Sequence, residues 1–164
     1  MPVVYLSLGS NIQREQNIRS GVASLRQHFP SLQLSPVYES EAVGFDGEAF
    51  FNLVARIDTD MNPGALANCL RDIETAHGRV RTGKKFSSRT LDIDVLTYGD
   101  YTGEHEGMVL PRDEILRFAF VLRPLADLAP DELHPVANKT YAALLEEADF
   151  SDQALWKIDI DWQG

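Results

Sequence analysis

His77 to Tyr98 reads HGRVRTGKKFSSRTLDIDVLTY, a cationic segment that feeds straight into a strand. In the second half, Thr90 to Tyr98, side chains alternate. Leu91, Ile93 and Val95 fall on one face; Asp92, Asp94 and Leu96 fall on the other. A strand that is apolar on one side and carries carboxylates on the other closes a sheet against helices. The first half holds Arg79, Arg81, Lys84, Lys85 and Arg89, five of the fifteen Lys and Arg, in a chain of formal net charge -10. Cations that grip phosphate, beside carboxylates that grip a metal ion, make up the chemistry of a phosphoryl- or pyrophosphoryl-transfer site. Gly78 and Gly83 lie on the same connection, which reads as a mobile loop able to close over a polyphosphate.

The stretch before it supplies the rest of the sheet. Val3 to Leu8 is an apolar run ending in Gly9-Ser10-Asn11, a buried strand with a turn after it. Ile18, Val22, Leu25 and Phe29 recur at helical spacing, so a helix is predicted over Arg14 to His28, ended by Pro30. Gln33 to Val43 reads as extended, with Pro36 marking a sheet edge or an irregular start. Phe50 to Asp58 is a strand with Phe51, Leu53, Ala55 and Ile57 facing one way and Phe50, Asn52, Val54 and Arg56 the other. Asn62-Pro63 starts a second helix with a side-chain cap and a proline at its first position. Leu66, Cys69 or Leu70, Ile73 and His77 form its buried stripe, and Gly78 ends it.

Strand, helix, strand, strand, helix, strand is the order of an α+β, ferredoxin-like βαββαβ fold: an antiparallel sheet with both helices on one face. The remaining third of the chain reads as a C-terminal helical and strand extension. A piece around Gly107 to Leu110 is predicted to extend the sheet. Pro111 to Leu125 reads as a helical turn and an apolar segment, Lys139 to Ala148 as a helix, and Trp156 to Trp162 as a last edge strand. At 164 residues the prior is one domain spanning 1–164.

Composition narrows the function. The acidic balance argues against a nucleic-acid-binding face. A single cysteine, Cys69, excludes an internal disulfide and fits a reducing, cytoplasmic setting. No apolar run reaches the ~18 residues of a membrane span, and the N-terminal run lacks the marks of a signal peptide. Asp92 and Asp94 are two apart on a strand, about 6.5–7 Å between α-carbons, so they can hold one Mg²⁺ or bridge two ions. Two other D-x-D stretches, Asp58 to Asp60 and Asp159 to Asp161, have no basic cluster beside them. Arg is the better phosphate clamp because its planar fork meets two oxygens at once.

Four stretches together resemble a known family: YLSLGSNI (5–12), FFNLVARI (50–57), GRVR with SRTLDIDVLTYG (78–99), and FVLRPLADLAP (120–130). They are similar to the 6-hydroxymethyl-7,8-dihydropterin pyrophosphokinases of folate biosynthesis. The resemblance implies transfer of pyrophosphate from ATP to the pterin hydroxymethyl group, with release of AMP and two Mg²⁺ ions. It implies Asp92 and Asp94 as metal ligands, Arg79 and Arg89 as catalytic phosphate contacts, and Glu74, Arg81 and Phe86 on the nucleotide side. Asn52 and Phe120 would bind the pterin, with Phe50 where a Tyr is usual, and with Ser40 and Val43 in the loop lining that pocket. The expected partners are ATP and a reduced pterin, acting on a monomer, with neither nucleic acid nor membrane.

Departures from the family pattern are also visible. Arg112 stands where a phosphate-contacting His is usual, which would keep a cation on the nucleotide. Phe118 replaces an Arg, with Arg117 one position early and placed to reach in; Phe86 stands for Trp and Ser88 for Pro. The alternative is a divergent relative that binds pterin or nucleotide with weak or altered activity. A nucleotidyltransferase, which also uses Gly-Ser and D-x-D, fits less well because Gly9-Ser10 lies about eighty residues upstream of the carboxylates.

Overall fold

The computed structural model describes residues 1–41, 47–78 and 90–162. It is a mixed α/β structure built on an antiparallel sheet. The elements are β1 (Val3–Ser10), α1 (Arg14–His28), β2 (Gln33–Leu34), β3 (Val37–Ser40), β4 (Phe50–Asp58), α2 (Pro63–Ala76) and β5 (Asp92–Tyr98). They continue with β6 (Gly103–His105), β7 (Met108–Leu110), α3 (Glu114–Arg117), α4 (Ala119–Leu128), α5 (Tyr141–Glu147) and β8 (Leu155–Ile158). The sheet runs β5-β1-β4-β3-β8, with every neighbouring pair antiparallel and β2 pairing β4 off that path.

Local sequence explains most boundaries. α1 and β4 cover the residues that their periodicity predicts. Asn62 caps α2 through a hydrogen bond from Ala65 N to its Oδ1 at 2.9 Å, with Pro63 at the first turn. Gly78 follows α2 at φ 78°, a left-handed position that glycine takes at no steric cost. The extended segment from Gln33 breaks at Ser35-Pro36, because proline cannot donate to a ladder, and it ends at Ser40. Cys69 is half-buried beside the core rather than inside it.

The sheet is covered on both sides. Val4, Leu6, Leu8, Leu53, Ile57, Ile93 and Val95 meet Ile18, Val22, Leu25, Leu66 and Leu70 of α1 and α2 in one core. Gly21 lets α1 approach closely: a Cβ there would lie 2.9 Å from Leu91 Cδ2. The opposite face carries a second core, where Tyr5, Val54 and Leu96 meet Val121, Leu122, Leu125 and Tyr141. The two helices expected on one face are there; α4 and α5 cover the other.

Two expectations need correction. The segment around Gly107 to Leu110 does not extend the main sheet, because β7 pairs with β6 as a separate two-stranded hairpin. The last strand covers Leu155–Ile158 rather than Trp156 to Trp162, and pairs with β3 at the sheet's end. A further irregularity was not expected. The register of β1 with β5 shifts between Tyr5 and Leu6, so Tyr5 faces Thr97 while Leu6 faces Val95. Leu96 is the extra residue of this bulge; it packs in the second core, and Tyr98 beyond it returns to the first.

Candidate active site

β1 sits between β4 and β5, and its register sets the geometry of the site. Gly9 faces Asn52 on one side and Asp92 on the other; Ser7 faces Val54 and Asp94. Cross-strand partners project to the same face. Asn52, Gly9 and Asp92 therefore form one row, with Asp94 in the next. Neighbouring strands are ~4.8 Å apart, so the Asn52 and Asp92 backbones lie about 10 Å from each other. A Cβ at Gly9 would lie 3.2 Å from Asn52 Oδ1 and 3.7 Å from the Phe50 ring, so the missing side chain keeps the floor between them low. Farther along this face the second core covers the sheet. The row thus lies at the end of that face, past the second core, with Gly9 and Asn52 buried and Asp92 half-buried.

Asp92 and Asp94 border a cleft of about 1400 Å³ between α2, the start of β5, the β6-β7 hairpin and Pro111 to Glu114. Burial and the neighbouring Asp92 hold the Asp94 carboxyl well above the usual carboxylate range, while Arg112 opposes that shift. Arg112 Nη1 stands 3.8 Å from Asp94 Oδ1, and its Nη2 donates to Glu114 Oε1 at 2.6 Å. The Arg112 backbone N–H donates to Leu96 O at 2.9 Å, which fastens this residue to β5 at the bulge. Among the described residues Arg112 Nε is buried without a hydrogen-bond partner.

Glu74 is buried at the end of α2 and lines the same cleft. Its Oε2 accepts from Ile93 N at 2.7 Å. β5 is the sheet's terminal strand, so an outward amide needs a partner, and Glu74 supplies one between the two aspartates. Asn68 and Arg71 lie in the cleft with it. Neither stands out in the sequence, although residues 68, 71 and 74 follow at successive steps of three along the helix beside the D-x-D strand.

On the other side of the row, Asn52 and Ser40 are both buried, and Asn52 Nδ2 donates to Ser40 Oγ at 2.7 Å. Phe50 faces Ser40 in the register of β3 with β4. A smaller cavity of about 340 Å³ lies between Ser40 and Phe120. The rings of Phe118 and Phe120 stack at 5.0 Å with planes 22° apart. Arg117 does not reach inward: it pairs with Asp113 at 3.1 Å on the outside of α3 and lies 5.1 Å from the Phe118 ring. Val43, Arg79, Arg81, Phe86 and Arg89 lie outside the described residues.

The donor set fits a magnesium ion in a particular way. Among the described residues no group of three or more His, Cys, Asp or Glu is placed to hold a metal by itself. Mg²⁺ takes one or two carboxylates and completes its shell with waters and substrate phosphates. Two aspartates whose mutual repulsion raises one of them suit that role. The cleft wall is otherwise acidic, with Glu74, Glu106 and Glu114 against the cations Arg71 and Arg112, so a polyphosphate needs additional positive charge there.

Residues 5–130 match the sequence profile of the 7,8-dihydro-6-hydroxymethylpterin-pyrophosphokinase (HPPK) family. The chain is 35% identical over 130 residues to the 2-amino-4-hydroxy-6-hydroxymethyldihydropteridine pyrophosphokinase of Bacillus subtilis, covering 77% of each. It is 37% identical over 132 residues to the protein of that name from Pseudomonas aeruginosa, covering 78% of this chain and 81% of that one. Against the folic acid synthesis protein fol1 of Schizosaccharomyces pombe identity is 34% over 149 residues, 88% of this chain but 20% of that protein. The chain thus spans about a fifth of the length of such fungal relatives. Among solved structures, a Plasmodium falciparum HPPK-DHPS variant superposes with a TM-score of 0.68 at 14% identity, over 89% of this chain and 45% of that one. At that identity the likeness speaks to fold alone. No helix among the described residues is long and apolar enough to cross a membrane.

Proposed function

Because the chain belongs to the 7,8-dihydro-6-hydroxymethylpterin-pyrophosphokinase family, we propose that it transfers the pyrophosphoryl group of ATP to 6-hydroxymethyl-7,8-dihydropterin. The hydroxymethyl oxygen loses its proton and bonds to the β-phosphorus. The bond from that phosphorus to the oxygen bridging to the α-phosphate breaks, and AMP leaves. The observation that carries this reading is the row Asn52-Gly9-Asp92. It sets an amide that can read a heterocycle edge across β1 from carboxylates that can gather a metal–polyphosphate.

The nucleotide belongs in the larger cleft, with Glu74 and Arg112 on its walls and Arg79, Arg81, Phe86 and Arg89 contributed by the basic segment. The pterin belongs beside Asn52, with Phe50, Phe120, Ser40 and Val43 around it. Asp92 and Asp94 would hold Mg²⁺, two ions in the full reading, which when bound offsets phosphate charge and aligns the oxygens. The chain's own residues do the rest. Asn52 orients the ring, Gly9 leaves it room, and Arg112 adds a fixed cation beside the phosphates. The strand order β5-β1-β4-β3 supports a ferredoxin-like classification. A single cysteine supports a cytoplasmic protein.

AMP release from ATP and the reduced pterin tests this directly. Wild-type protein should form AMP only with both substrates and Mg²⁺, and Asp94→Ala should lose at least about a hundredfold in rate. Equal AMP formation by the folded Asp94→Ala protein would refute the assignment. Release of pyrophosphate would point to nucleotidyl transfer, and binding without turnover to a non-catalytic relative.

A further inference from the structure

Gln153 holds the backbone on both sides of Phe118. Its Oε1 accepts from Ala119 N at 2.8 Å, and its Nε2 donates to Arg117 O at 3.0 Å. Phe118 ends α3 and starts α4 with an extended backbone, φ -126° and ψ 128°, and offers no side-chain cap to the helix it begins. The first amides of a helix lack internal partners. Gln153 supplies the acceptor that Phe118 cannot, from 34 residues farther along the chain. One side chain of the C-terminal segment thus bonds the backbone on both sides of the joint between the two helices.

That joint aims the stacked rings of Phe118 and Phe120. Gln153, Ala154 and Leu155 line a cavity of about 340 Å³ together with Phe118 and Phe120, and Ser40 completes that wall. Leu155 faces Ser40 in the register of β3 with β8, so the wall is tied to the sheet next to the strand carrying Asn52. The volume is within the range of about 300–1,000 Å³ typical of small-molecule pockets, and a flat heteroaromatic ring fits a slot with an aromatic pair on one side. We propose that Gln153 is a positioning residue for the pterin pocket, holding Phe120 at the height at which its ring meets the substrate. The C-terminal strand is then part of the substrate site. This rests on the pyrophosphokinase reading.

The test uses the full chain with Gln153→Ala, Gln153→Met and Gln153→Glu. Glutamate keeps the acceptor for Ala119 N and loses the donor to Arg117 O; methionine keeps the length and loses both. In the AMP assay the KM for the reduced pterin should rise about tenfold in the alanine and methionine variants, and less in the glutamate variant. The kcat and the KM for ATP should stay near wild type. Fluorescence titration of the reduced pterin should show the same order in Kd. A uniform fall in kcat, or a lowered Tm with unchanged KM and Kd for pterin, would overturn the proposal and leave Gln153 a stability residue. If alanine does not fold, the glutamate and methionine variants decide by the same measurements. A wild type that neither turns over nor binds a reduced pterin would sink the pyrophosphokinase reading itself, and this inference with it. A wild type that binds pterin while every folded Gln153 variant binds it equally sinks this inference alone.

Discussion

Arg112 lines the cleft beside the paired aspartates. It lies between carboxylates, 2.6 Å from Glu114 and 3.8 Å from Asp94, with its backbone fastened to Leu96 O. Its side chain is 37% exposed, so the pairing with Glu114 is worth only about 1 kcal/mol to stability. Its larger effect is on Asp94, whose affinity for a proton it reduces. Removing the cation lets the Asp94 pKa rise further. If the ionised carboxylate is the active form, the acid limb of the pH–rate profile then moves to higher pH. Arg112→Ala should show that upward displacement together with a loss of about a hundredfold in kcat/KM for ATP. Arg112→Lys should keep part of both, since a single ammonium lacks the planar fork that faces two groups. A pH–rate profile of Arg112→Ala that superimposes on wild type would separate Arg112 from the titration of the Asp92–Asp94 pair.

At the scale of elements, α2 delivers Glu74 to the strand it must complete. Losing the Asn62 cap with Asn62→Ala should cost about 1 kcal/mol, a fall in Tm of about 2–4 °C for a chain of this size, read by thermal unfolding. The turn after α4 carries a pH-sensitive element of another kind. His134 is buried, and its Nδ1 accepts from Val136 N at 3.2 Å and Ala137 N at 3.0 Å. Burial lowers its pKa below the ordinary value of 6.5. The unfolded chain therefore binds a proton near pH 6.5 while the folded chain still refuses it. Stability is full above that pH and is lost as pH falls toward the depressed folded value, at up to about 1.4 kcal/mol per unit. His134→Gln should flatten the slope of Tm between neutral and mildly acidic pH. Elements such as α1, β4 and the start of α2 were legible because each is spelled by an uninterrupted period and an end signal. Others carried no such mark. The bulge at Leu96 breaks the alternation count, so Tyr98 joins the side of Ile93 although their spacing is odd. The β6-β7 hairpin has strands too short for any period to show. In the site, Asp92 and Asp94 were marked by type and spacing beside the basic segment, whereas Asn52 and Glu74 came only from the family resemblance. The role of Gln153 was not legible, because both of its bonds reach backbone groups more than thirty residues away.

The whole molecule sets a further condition on the site. It carries a formal net charge of -10, and two aspartates are held on adjacent rows of one face of its sheet. Self-repulsion of that size destabilises the compact state, and added salt relieves it by screening. Two sources of stabilisation by magnesium chloride can therefore be separated. Sodium chloride matched for ionic strength supplies the screening alone. Any excess stabilisation by magnesium measures binding to the folded state, which adds RT ln(1 + [L]/Kd). Wild-type protein should show the excess, about 2–4 °C in Tm for each kcal/mol of binding. Asp94→Asn removes one carboxylate from the pair and should lose most of it, while responding to sodium chloride as wild type does. The variant should also start from a higher Tm without metal at neutral pH. It no longer keeps a charge that burial and Asp92 disfavour, the cost that raises the Asp94 pKa and grows with pH above the ordinary carboxylate value. A magnesium excess that survives in Asp94→Asn would place the ion on other carboxylates of the cleft and take the metal away from this strand.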